Sequence, residues 1–184
     1  MLRHWAFAGT FGSLRQSLRR YSVLSHLNER GEARMVDIST KEACFRKAQA
    51  EASLNIGDQG VFTALLQGAL PKGDAFAVAR LAGIQGAKQT STLVPLCHPA
   101  LPLDMVNVEL DPDPQTLSVR IRVQVSATAK TGVEMEALTG AAAAALALYD
   151  VCKGGFKACT EIPHGTLCIQ RITLLSKEKR KQYE

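Results

Sequence analysis

Apolar and polar positions along this chain change period often enough to be read as separate strands and helices. Phe45–Ile56 has a weak period of two, the mark of a strand with one buried face, and Met35–Ile38 is also strand-like. Asp58 is placed to cap a helix reaching about Gly68, with Val61, Leu65 and Leu66 on one side. After the loop Leu70-Pro71-Lys72-Gly73, Asp74 caps a second helix to about Lys88. Its Ala79, Ala82, Gly83 and Gly86 are small enough for close packing. Leu103–Leu110 and Thr116–Ala127 predict an antiparallel hairpin, with the prolines of Asp111-Pro112-Asp113-Pro114 ending its pairing. An Ala-rich helix is expected from about Gly132 to Cys152, stopped by Gly154-Gly155. A last strand, Thr166–Leu175, then leads into a frayed tail, Ser176–Glu184. Helices segregated against antiparallel strands imply a single α+β domain, a ferredoxin-like sheet packed against helices.

Composition supports one folded unit. With 184 residues and 46% apolar content, the chain can bury a core without disulfide or metal staples. Its longest apolar stretch, Ala141–Leu148, falls far short of the roughly 20 residues of a bilayer-crossing helix, so no membrane partner is expected. Cys44, Cys97, Cys152, Cys159 and Cys168 lack CxxC spacing, which favours reduced thiols over a disulfide framework.

The net charge of +5 is unevenly placed. No acidic residue precedes Glu29, whereas Arg3, Arg15, Arg19 and Arg20 do, so the rest of the chain is nearly neutral. Residues 1–24 have the composition of a mitochondrial presequence, and Arg19-Arg20-Tyr21-Ser22 resembles a matrix-processing site with cleavage before Ser22. The expected organisation is a leader over 1–24 and a domain over 25–184, acting in the mitochondrial matrix. Neither strand of the Leu103–Ala127 hairpin carries an aromatic residue, which argues against a nucleic-acid partner.

Three segments carry polar residues that a simple core would not use. In Val94-Pro95-Leu96-Cys97-His98-Pro99 two prolines fix a loop around His98, which suits a phosphate donor, a proton shuttle, a metal ligand or a histidine bonded to the backbone. A metal is the weakest of these, since the cysteines lack paired ligand spacing. The second segment, Lys130-Thr131-Gly132-Val133-Glu134-Met135-Glu136, turns into a helix whose start favours an anion, without a Walker loop. Glu134 and Glu136 stand two apart and point to different sides. Third, Asp150 and Lys153 share a helix face, an arrangement that holds a lysine near neutrality, orients it as an acid, or forms a plain surface pair. Lys72, Lys88, Lys130 and Lys153 with Arg46 and Arg80 would suit a polyphosphate substrate.

Six segments taken in order resemble the cyclic pyranopterin monophosphate synthase family of molybdenum-cofactor biosynthesis, in its eukaryotic mitochondrial form. They are Met35-Val36-Asp37-Ile38, Lys72-Gly73-Asp74, Ala79-Arg80-Leu81-Ala82-Gly83-Ile84-Gln85, Leu96-Cys97-His98-Pro99, Thr131 to Leu138, and Leu148-Tyr149-Asp150-Val151-Cys152-Lys153. The resemblance implies a lyase that converts 3′,8-cyclo-7,8-dihydroguanosine 5′-triphosphate to cyclic pyranopterin monophosphate and diphosphate. It implies a radical S-adenosylmethionine partner enzyme that supplies the substrate, and a homohexamer, a trimer of dimers, with active sites at subunit interfaces. No resident cofactor or metal is implied, Mg²⁺ with the triphosphate being left open.

The resemblance also assigns roles. Asp150, Lys153 and Lys72 would be catalytic. Leu96, Cys97, His98, Glu134, Met135 and Glu136 would bind substrate, with Arg46, Lys88 and Lys177 near the triphosphate. The chain departs from the family pattern in a longer Gly154–Cys168 region and in Glu-Lys-Arg-Lys after Lys177, where a Gly-rich tail is usual. That tail leaves open an impaired, precursor-binding subunit of the same pathway.

Overall fold

The computed structural model describes residues 26–99, 101–156 and 166–180. The described residues before Asp37 belong to a unit of their own. Within its described part, Leu27 bridges Ala33 and Asn28 Oδ1 accepts the backbone N–H groups of Arg30 and Glu32. Met35–Ile38 lies outside any strand, contrary to its apolar pattern, because it pairs with no neighbouring strand. The leader over 1–24 and its cleavage site lie outside the described residues.

The second unit begins at Asp37 and is an α+β domain. Its elements are β1 (Cys44–Asn55), α1 (Gln59–Leu66), α2 (Ala75–Lys88), the single turn α3 (Thr90–Leu93), β2 (Met105–Asp113), β3 (Ser118–Ala129), α4 (Glu134–Lys153) and β4 (Cys168–Arg180). The strands form one antiparallel sheet in the order β2-β3-β1-β4, the ferredoxin-like arrangement expected.

Strand alternation decides the layering. Ala48, Ala50, Ala52 and Leu54 of β1 and Val119, Ile121, Val123, Val125 and Ala127 of β3 are all buried in the core. The small alanines let α4 lie close to the sheet. Its own buried stripe includes Ala137, Ala141, Ala144, Ala145 and Leu148. Helix α2 meets α4 through glycines. A Cβ on Gly86 would fall 2.5 Å from Ala143 Cβ, and one on Gly140 3.0 Å from the Gly83 carbonyl. Nothing larger fits this crossing without movement.

Both predicted caps form. Asp58 accepts from the Val61 N–H at 2.8 Å and Asp74 from the Ala77 N–H at 3.0 Å. Three local expectations change. Pro112 remains within β2, paired with Val119, because β2 is an edge strand and half its backbone nitrogens face away from the ladder. Gly154 does not stop α4 with a left-handed turn; its φ is −66°, and a 3₁₀ turn continues to Phe156. The tail expected to fray from Ser176 stays in β4 to Arg180, held by the register Gln49↔Ser176, Lys47↔Glu178 and Phe45↔Arg180. By length and composition alone, the helical run Glu134–Phe156 is long enough to cross a membrane, which the short stretch Ala141–Leu148 did not suggest; half of its most apolar window is buried within the fold.

Candidate active site

The predicted site residues gather in three places on this frame. At the C-terminal end of α4, Asp150 accepts from two lysines. Lys153, one turn on, approaches its Oδ1 at 2.7 Å, and Lys72 approaches Oδ2 at 2.5 Å. Lys72 comes from a turn closed by the Gly73 N–H to the Leu70 carbonyl, and Gly73 takes φ 90°, a conformation that glycine adopts without strain. Its side-chain stem passes beside Gly154, where a Cβ would sit 3.9 Å from Lys72 Cγ.

Lys153 first and Lys72 second hold the Asp150 carboxyl down to about 2, and Asp150 in turn raises the Lys153 pKa. At neutral pH Asp150 is therefore a carboxylate held between the two lysine side chains. Of the readings open for Asp150 and Lys153, this geometry disfavours a near-neutral lysine and fits both an oriented acid and a plain surface pair. The groups are 41–50% exposed, so the pairs contribute little to stability and remain open to a ligand.

The second place lies near the start of α4. Lys88, His98 and Glu136 line one recess with Ala87, Thr90, Ser91 and Leu101. The loop before His98 is closed by the Cys97 N–H to the Val94 carbonyl at 3.0 Å. Glu136 is only 6% exposed, and burial, helped by the charge of Glu134, pushes its carboxyl pKa up. Burial and the Glu136 charge likewise raise the Cys97 thiol. A buried carboxyl with a raised pKa is a candidate proton donor or acceptor. Leu96 and Met135 are exposed, at 38% and 37%, and neither lines this recess.

Arg46, Glu134 and Lys177 share the third place, a cavity of about 260 Å³ also lined by Lys47, Gly132, Val133, Glu178 and Lys179. Glu134 folds back over Gly132, where a Cβ would lie 1.8 Å from its Oε2, and accepts Lys177 at 3.2 Å. The two glutamates thus serve different pockets, as their spacing predicts. Lys179 carried no signal of its own, since only strand register brings it to Arg46.

Two cations suggested for a polyphosphate are engaged elsewhere. Lys130 Nζ donates to the Ser39 carbonyl at 2.9 Å, and Arg80 Nε to the Val108 carbonyl at 3.4 Å. Among the described residues, no cluster of three His, Cys, Asp or Glu is placed to hold a metal ion.

These three places do not form one pocket in a single chain. Glu136 and Asp150 are 14 positions apart on α4, or ~21 Å along its axis at ~1.5 Å per residue. One further charged cluster was invisible in the sequence. Glu51, 6% exposed on the sheet face away from the helices, accepts from Arg122 at 3.2 Å and from Arg171. Burial raises its pKa, but those two arginines outweigh it and leave the net shift downward.

Residues 35–180 match the model of the MoaC family. The chain belongs to the MoaC family. The matched span contains every candidate residue above and the whole sheet. Membership gives the chain a role in molybdenum-cofactor biosynthesis, acting on a small-molecule substrate of that pathway. The lysine–aspartate array and the basic cavity suit such a substrate if it carries phosphates and must exchange protons.

Proposed function

We propose that this chain is a cyclic pyranopterin monophosphate synthase, a lyase that takes 3′,8-cyclo-7,8-dihydroguanosine 5′-triphosphate to cyclic pyranopterin monophosphate and diphosphate. The observation that carries the reading is the convergence of Lys72 and Lys153 on Asp150, from a loop and a helix far apart in sequence. Two lysines fixed by one carboxylate can deliver protons to a ring undergoing rearrangement, with Asp150 setting their direction. The cavity at Arg46 and Lys177 would hold the triphosphate, and Lys88, His98 and Glu136 would border the purine-derived ring.

The separation along α4 supports a site assembled from two copies. One copy would supply Lys72, Asp150 and Lys153; the other would supply Arg46, Glu136 and Lys177. A substrate of this size cannot bridge ~21 Å within one chain, whereas a symmetric interface brings opposite ends of the helix together twice. We extend the proposal to a homohexamer, a trimer of dimers. A radical S-adenosylmethionine enzyme would supply the substrate, and the acid-free leader would direct the chain to the mitochondrial matrix. The altered tail that prompted a non-catalytic alternative lies in the sheet to Arg180, which favours the enzyme reading.

The test is diphosphate release from the cyclised GTP substrate by purified chain starting at Ser22, with and without Mg²⁺. Turnover is expected, and its loss in Lys153→Ala. Binding of substrate without turnover by the wild-type chain would overturn the reading in favour of a precursor-binding subunit.

A further inference from the structure

The basic cavity contains more positive charge than its carboxylates use. Four cations line it, Arg46, Lys47, Lys177 and Lys179, against two carboxylates, Glu134 and Glu178. Each carboxylate is engaged: Glu134 takes Lys177 at 3.2 Å, and Glu178 takes Arg180. Among the described residues, Arg46, Lys47 and Lys179 enter no ion pair. In addition, Arg46 Nε is buried with no hydrogen-bond partner. A buried guanidinium N–H without an acceptor is unfavourable, and a ligand oxygen arriving in the cavity would satisfy it.

Strand register identifies the neighbour of Arg46. Across β1 and β4, Arg46 pairs with Lys179 and Ala48 with Lys177. Directly paired residues of an antiparallel sheet project to one face, and Ala48 is buried in the core under the helices. Arg46, Lys177 and Lys179 therefore belong to the α4 side of the sheet. The contact between Lys177 and Glu134 at the start of α4 agrees with that placement. Lys47 and Glu178, which also border the cavity, alternate to the other face, so the balance on the α4 side is Arg46, Lys177 and Lys179 against Glu134.

We propose that Lys179 is a phosphate-binding residue of this site. Together with Arg46 it forms a two-cation clamp on the outer phosphates of a polyphosphate chain, while Lys177 stays bonded to Glu134. Arg46 contributes directional N–H donors from a partly buried position, and Lys179 contributes a mobile point charge at the cavity mouth. The inference rests on the proposed triphosphate substrate and adds to it a residue outside the segments that carry the family resemblance. It also gives a use to β4 beyond Lys177, where the chain departs from the usual tail.

The probe is inorganic tripolyphosphate, titrated calorimetrically into the chain starting at Ser22, alongside steady-state diphosphate release. Lys179→Ala should weaken tripolyphosphate about tenfold and raise KM by a similar factor, with kcat changed less than about twofold, the scale of one charge-assisted contact. Lys179→Arg should restore both. Unchanged tripolyphosphate affinity and KM in a folded Lys179→Ala protein would overturn the proposal and leave the synthase reading standing. Tight tripolyphosphate binding that depends on Lys179, without turnover by the wild-type chain, would uphold the clamp and sink the synthase reading instead. If the wild-type chain turns over substrate but does not bind tripolyphosphate, the KM of Lys179→Ala decides.

Discussion

The two ends of α4 are built on opposite electrostatic plans. At its C-terminal end the charges are already paired, Lys72 and Lys153 on Asp150, and all three are roughly half exposed. At its N-terminal end the charges are incompletely matched, with Glu136 buried, Arg46 Nε lacking a partner and an open cavity beside it. The first end is equipped to move protons but encloses little. The second encloses a volume and attracts anions, with the Lys177–Glu134 pair leaving Arg46 and Lys179 unmatched. Each end has what the other lacks, which is what the proposed two-copy site would combine.

The largest expected effect comes from the paired end. Lys153→Ala should lower kcat for diphosphate release at least ~100-fold, the scale of a lost general acid, with little change in KM. An unaffected kcat would remove Lys153 from the chemistry. At the other end, Arg46→Ala should act chiefly on KM, raising it about tenfold for one charge-assisted contact. If instead kcat fell and KM held, the division of labour between the two ends would be wrong.

Stability offers a third comparison, because α2 and α4 must cross closely for either end to keep its place. Gly86→Ala puts a methyl 2.5 Å from Ala143 Cβ and should cost about 1–3 kcal/mol in denaturant unfolding. A neutral result would mean that the crossing has slack.

The smallest effects are in pH dependence, and they have opposite signs. Asp150 has its pKa depressed from 3.8 to about 2 in the fold, so its stabilisation is present above 3.8 and is lost as pH falls towards 2. Glu136 has its pKa raised above 4.5, so its folded form is favoured at low pH, and stability declines as pH rises through the folded value. Asp150→Asn should therefore flatten the acid limb of a stability–pH profile, whereas Glu136→Gln should flatten a decline above 4.5. Profiles that both change in the same direction would contradict the two plans.

Much of the frame was legible in the sequence because local chemistry wrote it there. Asp58 and Asp74 cap the helices as their positions suggest, and the weak period of two over Phe45–Ile56 anticipated a strand with one buried face, which proves to be that of Ala48, Ala50 and Ala52. The pairing of Asp150 with Lys153 followed from helix spacing alone. Its second partner, Lys72, could be linked to Asp150 only through family resemblance, since 78 residues separate them. Charge density misled at the tail: the run after Ser176 looked too polar to pair, yet edge strands tolerate polar residues when one backbone edge is matched. The apolar stretch Met35–Ile38 misled in the other direction, since apolar composition without a pairing partner makes no strand. Register effects, Glu51 with Arg122 and Arg171 or Arg46 beside Lys179, have no signature along one strand.

Subunit complementation tests the division between the two helix ends most directly. Lys153→Ala and the charge-reversed Arg46→Glu should each be inactive alone. Dissociated, mixed in equal amounts and reassembled, they should recover about a quarter of wild-type diphosphate release, because random pairing leaves that share of interface sites with both native ends. A mixture that remains as inactive as its components would show that both ends must come from the same copy, contrary to this account.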